Sequence, residues 1–332
     1  MSTLITGGAG FVGLNVAEQL CDRGDSVVLF GPSAPPADAL IAFHEKPGYA
    51  TVAIGDVSVR SDLDAAMETH GVDRVIHAAA ITADSTREQR MAREIFAVNL
   101  SGTVEVLEAA LRHGIKRLVH VSTGSIFGEA GRSSESLDEV TSPVQPVSLY
   151  GISKFAAERT ALRYRHTRGV DVTVVRLGMV FGPWEYETGV RDTLSMALQL
   201  VRIAEAGGRA VIHSHAGDDW IYSVDVACGL VAVLERYDLP EPVYHLSSGE
   251  RWSIASWCEL LQERFPRFEY AFASSLDECT VKRNAPARRS PMSIARIRRD
   301  AGYAPRFPLP RAFRDYFAWR DSHRRFVEAT GS

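Results

Sequence analysis

A tyrosine and a lysine four positions apart, in the sequence YGISK, could carry proton-transfer chemistry. Their spacing places Tyr150 and Lys154 about one turn apart on one face of a predicted helix. A lysine ammonium near a phenol favours the phenolate, so we expect Lys154 to lower the pKa of Tyr150 from its reference value of about 10. Tyr150 is thereby predicted to act as a general acid or base at neutral pH. Taken alone, this spacing is more often structural.

Hydroxyl side chains come shortly before this pair. The sequence VSTGS, residues 121–125, closes a predicted strand with Ser122, Thr123 and Ser125. A strand that ends in hydroxyls ahead of the Tyr–Lys helix favours the catalytic interpretation of the pair.

A glycine turn opens the chain. The sequence LITGGAGFVG, residues 4–13, places Gly7, Gly10 and Gly13 directly after the first predicted strand and at the start of a helix. The first glycine allows a tight turn, the second lets the backbone approach a pyrophosphate, and the third packs helix on sheet. The N–H groups at the start of the helix would then hold the phosphates. The turn predicts a dinucleotide cofactor.

The position that would select NAD or NADP carries neither an acid nor a base. Gly31, in the sequence FGPS, stands where an acidic residue would bind the ribose 2′-hydroxyl of NAD. No arginine or lysine follows to bind a 2′-phosphate. NAD is favoured for want of a basic residue, and NADP stays open.

These groups must be positioned by alternating strands and helices. Short apolar strands separated by amphipathic helices predict a doubly wound parallel sheet of the Rossmann type. Pro and Gly become frequent after residue 178. We predict an α/β fold in which residues 1–178 form the NAD(P)-binding domain with Thr123, Tyr150 and Lys154. Residues 179–332 form a smaller, loop-rich, mainly substrate-binding part, with some segments returning to the Rossmann sheet. The predicted strands are residues 3–5, 26–30, 50–54, 74–77, 117–121 and 172–177, and the predicted helices are residues 12–23, 62–70, 92–113, 149–167, 193–206 and 225–237.

The composition limits the partners. Hydrophobic residues make up 45% of the 332 positions and charged residues 23%, which is typical of a globular protein. A net charge of −4 gives no reason to expect nucleic acid or an anionic membrane as a partner. Four widely spaced cysteines predict neither disulfides nor a metal site. No apolar run approaches the ~20 residues of a membrane span and no signal peptide is evident, so a cytoplasmic protein is expected.

Together these motifs resemble the extended short-chain dehydrogenase/reductase superfamily, the NAD-dependent epimerases and dehydratases, over nearly the whole chain. TGGAGFVG at residues 6–13, GDV at 55–57, HAAA at 77–80, VSTGSIFG at 121–128 and YGISK at 150–154 carry the resemblance. It implies an enzyme that uses NAD, and a homodimer formed through the two long helices. The cofactor-binding residues that it implies are Gly7, Gly10, Phe11, Val12, Gly13, Asp56, Val57, Ala78, Ala79, Ala80, Asn99, Tyr150, Lys154 and Leu177.

The resemblance also implies the catalytic roles. Thr123 and Tyr150 would hydrogen-bond the reacting oxygen, Tyr150 would move the proton, and Lys154 would hold the nicotinamide ribose. Asn99 is expected to be structural. Phe127 replaces a tyrosine of the superfamily, which should not affect the chemistry.

The sequence GDDWIYSVD, residues 217–225, bears on the substrate. In relatives that use nucleotide sugars, an arginine that contacts the diphosphate stands where this chain has Asp218. A carboxylate would repel a diphosphate, which argues against a nucleotide-linked substrate. The alternative is a phosphate clamp elsewhere, at Arg288 or Arg289.

The candidate substrate residues are Ser125, Trp184, Arg191 and Trp220. The sequence RDTLS at residues 191–195 is similar to a segment with which uronate dehydrogenases hold a sugar carboxylate, and a guanidinium suits that role. Alternatively, Arg191 pairs with Glu187 or Asp192, and the two tryptophans belong to the core.

Three functions therefore stay open. The first is an NAD(P)-dependent oxidoreductase acting on a small sugar, polyol or sugar acid. The alternative is a nucleotide-sugar 4-epimerase or dehydratase with tightly bound NAD. Dehydration is least favoured, because Gly124 and Ser125 do not supply the acid pair that dehydratases carry after the catalytic hydroxyl. A cofactor-binding scaffold without activity is disfavoured by the presence of Thr123, Tyr150 and Lys154 together.

Overall fold

The computed structural model describes residues 1–132, 135–213, 217–283 and 289–331. Within these ranges a seven-stranded, fully parallel sheet forms the centre of the molecule. In chain order, the strands of this sheet and of two smaller two-stranded sheets are β1 (Ser2–Thr6), β2 (Ser26–Gly31), β3 (Tyr49–Ile54), β4 (Arg74–His77), β5 (Arg117–Thr123), β6 (Val172–Leu177), β7 (Met179–Phe181), β8 (Arg209–Ile212), β9 (Trp220–Tyr222), β10 (Val243–Leu246) and β11 (Glu269–Phe272). The main sheet has the order β10-β6-β5-β4-β1-β2-β3. The predicted doubly wound α/β fold is confirmed.

Helices cover both faces of this sheet, and other helices pack against one another in the later part of the chain. They are α1 (Phe11–Asp22), α2 (Ala37–His44), α3 (Arg60–His70), α4 (Ser85–Arg90), α5 (Ala92–Phe96), α6 (Gly102–Arg112), α7 (Leu149–Arg168), α8 (Met196–Glu205), α9 (Ser223–Glu235), α10 (Ile254–Arg264), α11 (Ala295–Ala301), α12 (Leu309–Ser322) and α13 (Arg324–Gly331). The residues of β4, β5 and β6 are all buried, as expected for central strands with helices on both sides.

The strand order reverses between β1 and β4, and this is where open α/β sheets bind their ligands. β2 and β3 lie on one side of β1, while β4, β5, β6 and β10 follow on the other. The glycine turn, the segment after β4 and the hydroxyls that end β5 therefore meet at one edge of the sheet.

The predicted helix over residues 92–113 is not continuous. A π-helical turn, Ala97–Ser101, separates α5 from α6. Asn99 lies in this turn, and its side chain bonds the backbone of Ile81 and the hydroxyl of Ser153. We attribute the wider turn to these contacts, which draw the asparagine toward the neighbouring segments.

Helix α7 begins at the YGISK motif. The Ser148 hydroxyl accepts a hydrogen bond from the backbone N–H of Gly151 at 3.0 Å, which caps the helix. Gly169, with a φ of 69°, ends it in the left-handed conformation. Tyr150 and Lys154 therefore lie in the first two turns of a firmly capped helix.

The later part of the chain forms two small sheets and also adds a strand to the main sheet. β7 pairs with β9 and β8 pairs with β11, each in parallel, around an aromatic core that includes Phe181, Trp220 and Trp257. β10 joins the edge of the main sheet beside β6, and α9 packs against α1. The division at residue 178 stays a prediction.

Three further features concern membrane spans, metal sites and cysteines. Among the described residues, no helix combines the length and the apolarity that crossing a bilayer requires. In the same part of the chain, no three His, Cys, Asp or Glu side chains are grouped so that they could hold a metal ion. The four cysteines are free thiols.

Candidate active site

A cavity of about 310 Å³ extends from the glycine turn to the carboxyl ends of β5 and β6. Its walls come from the glycine turn, from the segments that follow β4, β5 and β6, and from the loop before α8. Residues near 283 and 289 close the far side. Of the predicted cofactor residues, Gly7, Gly10, Phe11, Val12, Gly13, Ala78, Ala80, Tyr150, Lys154 and Leu177 line this cavity.

The glycine turn forms a cradle that side chains would fill. Gly7 has a φ of 70°, and a Cβ there would lie 2.9 Å from the backbone of Ala79. A Cβ on Gly13 would lie 2.4 Å from the carbonyl oxygen of Gly7. The backbone is therefore closely packed at the turn, and the first residues of α1 line the cavity. The cradle, the helix N-terminus and the continuous cavity fit a dinucleotide cofactor.

Four predicted cofactor residues lie outside the cavity wall. Ala79 is buried, and its backbone N–H donates to the Thr6 hydroxyl at 3.3 Å. Asp56 is exposed, and its carboxylate accepts hydrogen bonds from the backbone and hydroxyl of Ser58. Val57 is buried against Gly102. Asn99 is buried and makes the three hydrogen bonds described above, consistent with the structural role expected for it.

Thr123 and Tyr150 come together at the end of β5. Hydrogen bonds to Thr123 and Thr82, and the nearby cations Arg191 and Arg289, all act to lower the pKa of Tyr150. Burial of the phenol outweighs them and raises this pKa above its ordinary value. The expectation of a lowered Tyr150 pKa is therefore wrong for the cofactor-free protein. Spacing alone indicated the neighbouring cation but not the loss of hydration.

Lys154 is almost fully buried and lines the same cavity. Burial lowers its pKa to about 8, and the negative charge of Glu158 opposes this shift. The Glu158 carboxylate is already bound by Arg176 at 2.6 Å and by the Ser122 hydroxyl at 3.0 Å. Among the described residues, none accepts a hydrogen bond from the Lys154 ammonium, which leaves its donors directed to a bound ligand.

The four candidate substrate residues separate into two groups. Ser125, Arg191 and Trp220 line the cavity. Trp184 does not: it is fully buried, with edge-on contacts to Trp319 and Phe326, which favours the alternative that it belongs to the core. Sequence could not separate it from Trp220, because each tryptophan stands two positions before a tyrosine in the same loop-rich part of the chain.

Arg191 already has an anionic partner. Its Nη1 lies 2.9 Å from Oε1 of Glu185, and its guanidinium stacks 5.3 Å from the ring centre of Phe11. Neither predicted surface partner binds it: Glu187 pairs with Arg202, and Asp192 pairs with Arg87. Arg191 thus forms part of the wall between the cofactor cradle and the substrate space.

The acids at 218 and 219 do not face a substrate as free charges. Asp218 is buried, and its Oδ2 lies 2.5 Å from Nη2 of Arg283. Its Oδ1 accepts a hydrogen bond from the backbone N–H of Arg289 at 3.1 Å. The proposed exclusion of phosphate by Asp218 is therefore wrong, because the carboxylate is neutralised and holds two arginines in place.

Asp219 is the second buried acid of this group. It accepts a hydrogen bond from the Ser247 hydroxyl, and its Oδ2 lies 3.8 Å from Nε of Arg289. Burial raises the pKa of Asp219 to about 6, although the Arg289 charge opposes the shift. Arg288, the other arginine considered as a clamp, lies outside the described residues.

Sequence reasoning missed several cations of the cavity. Arg132, Lys282 and Arg283 line it beside Arg289, which was already a candidate clamp in the sequence. The only signal was the charge reversal at Asp218, which calls for a compensating cation but does not say where in the chain it lies. Among the described residues, the cavity wall carries six cationic side chains and no acidic one. The six are Arg132, Lys154, Arg191, Lys282, Arg283 and Arg289.

Comparison with known proteins adds the family context. A family model described as the NAD dependent epimerase/dehydratase family matches residues 3–249. A dTDP-glucose 4,6-dehydratase of an Actinoplanes species is 28% identical, over 98% of this chain and 99% of its own.

Solved structures share the fold. The UDP-glucose 4-epimerase of Thermotoga maritima, solved with UDP-glucose, superposes with a TM-score of 0.81 at 21% identity, covering 97% of this chain and 99% of its own. MoeE5 in complex with UDP-glucuronic acid and NAD gives a TM-score of 0.78 at 22% identity, with the same coverage.

Proposed function

Because the chain belongs to the NAD-dependent epimerase/dehydratase family, we propose that it is a nucleotide-sugar 4-epimerase that retains its NAD. The observation that carries this proposal is the charge of the cavity, whose described wall has six cationic side chains and no acid. Such a wall suits an anionic substrate such as a sugar linked to a nucleoside diphosphate. The relatives named above also act on, or are bound to, nucleotide sugars.

The same wall argues against dehydration. Elimination of a hydroxyl requires an acid to protonate the leaving oxygen and a base to remove a proton from carbon. Gly124 and Ser125 follow Thr123 and carry no carboxylate. Epimerisation needs proton transfer at one oxygen only, which Tyr150 can perform.

In the proposed mechanism, bound NAD would supply a reversible hydride acceptor. Thr123 and Tyr150 hold the hydroxyl oxygen of the reacting carbon between them. Tyr150 removes the hydroxyl proton as the carbon becomes a carbonyl, and gives it back to the same oxygen when the carbon is reduced from its other face. The nearby cations Arg191 and Arg289 favour the ionised form of the phenol.

An oxidoreductase acting on an unlinked sugar has less support. That interpretation depended on Asp218 repelling a diphosphate, and Asp218 is paired with Arg283. The two functions differ in the fate of the cofactor. An epimerase regenerates its NAD in each turnover, whereas an oxidoreductase releases NADH.

The test uses the purified protein with UDP-, dTDP- and GDP-sugars, and with free sugars, polyols and sugar acids. We expect a C4-inverted nucleotide sugar by chromatography, no net absorbance of NADH, and NAD released on denaturation. Stoichiometric NADH formation from an unlinked sugar would contradict the proposal. A dehydrated keto product would show that a group other than residues 124 and 125 supplies the acid.

A further inference from the structure

The loop between β7 and α8 carries a carboxylate, Glu185, whose side chain is fully buried. The preceding residue, Trp184, is also fully buried and has a φ of 61°, a conformation that residues other than glycine rarely adopt. Two consecutive side chains of this loop therefore point into the protein, at the cost of backbone strain. A buried carboxylate is itself costly unless it is paired and hydrogen-bonded. The partners of Glu185 should therefore indicate what it holds in place.

Three donor groups surround the Glu185 carboxylate. Its Oε1 lies 2.9 Å from Nη1 of Arg191 and accepts a hydrogen bond from the backbone N–H of Ser195 at 2.6 Å. Its Oε2 accepts a hydrogen bond from the Ser195 hydroxyl at 2.5 Å. The same hydroxyl caps α8 by accepting a hydrogen bond from the backbone N–H of Leu198 at 3.1 Å. Glu185 therefore fixes the Arg191 guanidinium against the start of α8.

Arg191 is also joined to the cofactor end of the cavity. Its guanidinium lies 5.3 Å from the ring centre of Phe11 at the start of α1. Its backbone forms a parallel bridge with Thr82 in the segment after β4, and backbone hydrogen bonds of 2.8 and 3.2 Å join Thr82 to the residues on either side of Arg191. Arg191, Thr82 and Tyr150 all line the cavity. The loop therefore places a cation at the wall that the phenol shares.

The charge of Arg191 acts on this phenol. Burial raises the pKa of Tyr150, and Arg191 is one of the groups that oppose this effect. The side chain of Arg191 is 24% exposed, so a guanidinium released from Glu185 has a path toward solvent. A charge that moves away from the phenol into water acts on it more weakly. The support that Arg191 gives to the phenolate thus depends on what holds the guanidinium.

We propose that Glu185 is a positioning residue, which holds the Arg191 guanidinium in the cavity wall where its charge favours proton transfer by Tyr150. This inference rests on the proposed function only in taking Tyr150 as the group that moves the proton. Glu185 does not line the cavity, so it acts through Arg191 and not on the ligand. Its carboxylate has two opposite effects, because its negative charge offsets the charge of Arg191 while its hydrogen bonds keep that charge near the phenol.

The test separates these two effects with three variants. Glu185→Gln keeps an acceptor for Arg191 but removes the negative charge, so the pKa of Tyr150 should fall. Glu185→Leu also releases the guanidinium, so this pKa should rise by about one unit, the low end of the effect of a nearby opposite charge. Arg191→Met removes the cation and should give the same rise. Opposite shifts in the two Glu185 variants are the signature of positioning.

Two measurements follow the ionisation of Tyr150. The pH dependence of kcat for C4 inversion reports the phenol in the enzyme–substrate complex. Ultraviolet absorbance of the phenolate reports it without turnover, on the NAD-loaded protein and with the matching Tyr150→Phe variant subtracted. Glu187→Gln is the matched control, because Glu187 stands in the same loop but is 72% exposed and pairs with Arg202. It should shift neither measurement.

The outcomes decide between positioning and a purely structural role. An unchanged pKa of Tyr150 in Glu185→Leu, or a fall in both Glu185 variants, would overturn the inference. If Glu185→Leu does not fold because Arg191 is left unpaired, the double variant Glu185→Leu/Arg191→Met removes both charges. Its Tyr150 should titrate as in Arg191→Met alone, and a different pKa would show that Glu185 does not act through Arg191.

The same experiments keep this inference apart from the proposed function. Phenolate shifts of the expected signs without C4 inversion of any nucleotide sugar would overturn the epimerase and leave the role of Glu185 standing. C4 inversion whose pH dependence is the same in wild type and Glu185→Leu would leave the epimerase standing and overturn the role of Glu185.

Discussion

At the scale of single residues, the phenol of Tyr150 lies in surroundings that disfavour its ionisation. Burial raises its pKa, while Thr123, Thr82 and two arginines act in the opposite direction. One of these arginines, Arg289, also faces the substrate space. A ligand anion that pairs with Arg289 would remove part of the support for the phenolate, so ligand binding and proton transfer are electrostatically connected.

The first prediction concerns Tyr150→Phe. Removal of the phenolic oxygen should lower turnover about 10²- to 10⁴-fold, the usual share of a general acid or base. NAD affinity should be retained, because the ring still fills its place beside the cavity. Initial rates and equilibrium dialysis with NAD check the two statements. Tyr164→Phe is the matched control, since that hydroxyl bonds Glu108 of α6, about four turns further along α7. A Tyr150→Phe enzyme with near-normal turnover would exclude the proposed role.

The second prediction concerns the pH dependence of stability contributed by Lys154. Its pKa is about 8 in the cofactor-free fold, against 10.5 ordinarily. Between these values the unfolded chain binds more protons, so this group makes stability rise with pH across that window. Below pH 8 the full cost of the buried charge applies, on the order of 3 kcal/mol by the linkage of pKa to free energy.

Lys154→Met removes this cost. The variant should gain most over wild type at pH 7, and the gain should shrink as the pH rises toward 10.5. Urea unfolding at several pH values, without cofactor, measures the difference. Lys116→Met, at an exposed lysine, should show no comparable trend. A gain independent of pH would mean that packing, not charge, separates Lys154→Met from wild type.

At the scale of elements, short-range patterns were sufficient for most of the sheet. All six predicted strands occur, because alternating apolar strands and helices depend on neighbours in sequence. The π turn at Ala97–Ser101 was not predictable, since Asn99 bonds Ile81 and Ser153, 18 and 54 positions away. The glycine turn was predictable because its requirement for close approach is local.

The third prediction tests that turn. Gly13→Ala places a Cβ 2.4 Å from the carbonyl oxygen of Gly7, so α1 or the turn must shift. Overpacking of this kind costs about 1–3 kcal/mol, and we expect NAD affinity to fall about tenfold or more by calorimetry. Gly331→Ala, where a Cβ meets nothing within 4 Å, is the control. Unchanged NAD affinity in Gly13→Ala would place the cofactor elsewhere.

At the scale of the whole molecule, the later half of the chain was the least predictable. The pairing of Asp218 with Arg283 spans 65 positions, and no local pattern indicates it. The role of Asp218 therefore reversed once its partner was known, whereas Thr123, Tyr150 and Lys154 line one cavity, and their catalytic roles stay a prediction. Association of two copies through α6 and α7 stays a prediction, which light scattering on the purified protein would check.

The fourth prediction concerns the contact between the two halves at Trp184. This fully buried side chain has a φ of 61° and donates a hydrogen bond from Nε1 to Glu18 of α1 at 2.7 Å. Trp184→Ala should lower the free energy of unfolding by about 3–5 kcal/mol, as for other large core truncations. Trp184→Phe should retain more of it. Denaturant unfolding measures both, and a loss below about 1 kcal/mol in Trp184→Ala would contradict the assignment to the core.

The loop that carries Trp184 also joins the two ligand spaces. Within it, the Tyr186 hydroxyl donates to the carbonyl oxygen of Ala9 in the glycine turn, and Arg191 covers Phe11 at the start of α1. A dinucleotide bound at the glycine turn would therefore contact residues that are held by the same loop that bounds the substrate space. By thermodynamic linkage, any factor by which the cofactor changes sugar affinity must equal the factor by which the sugar changes cofactor affinity. We expect this factor to move toward one in Tyr186→Phe, where the hydrogen bond to Ala9 is removed.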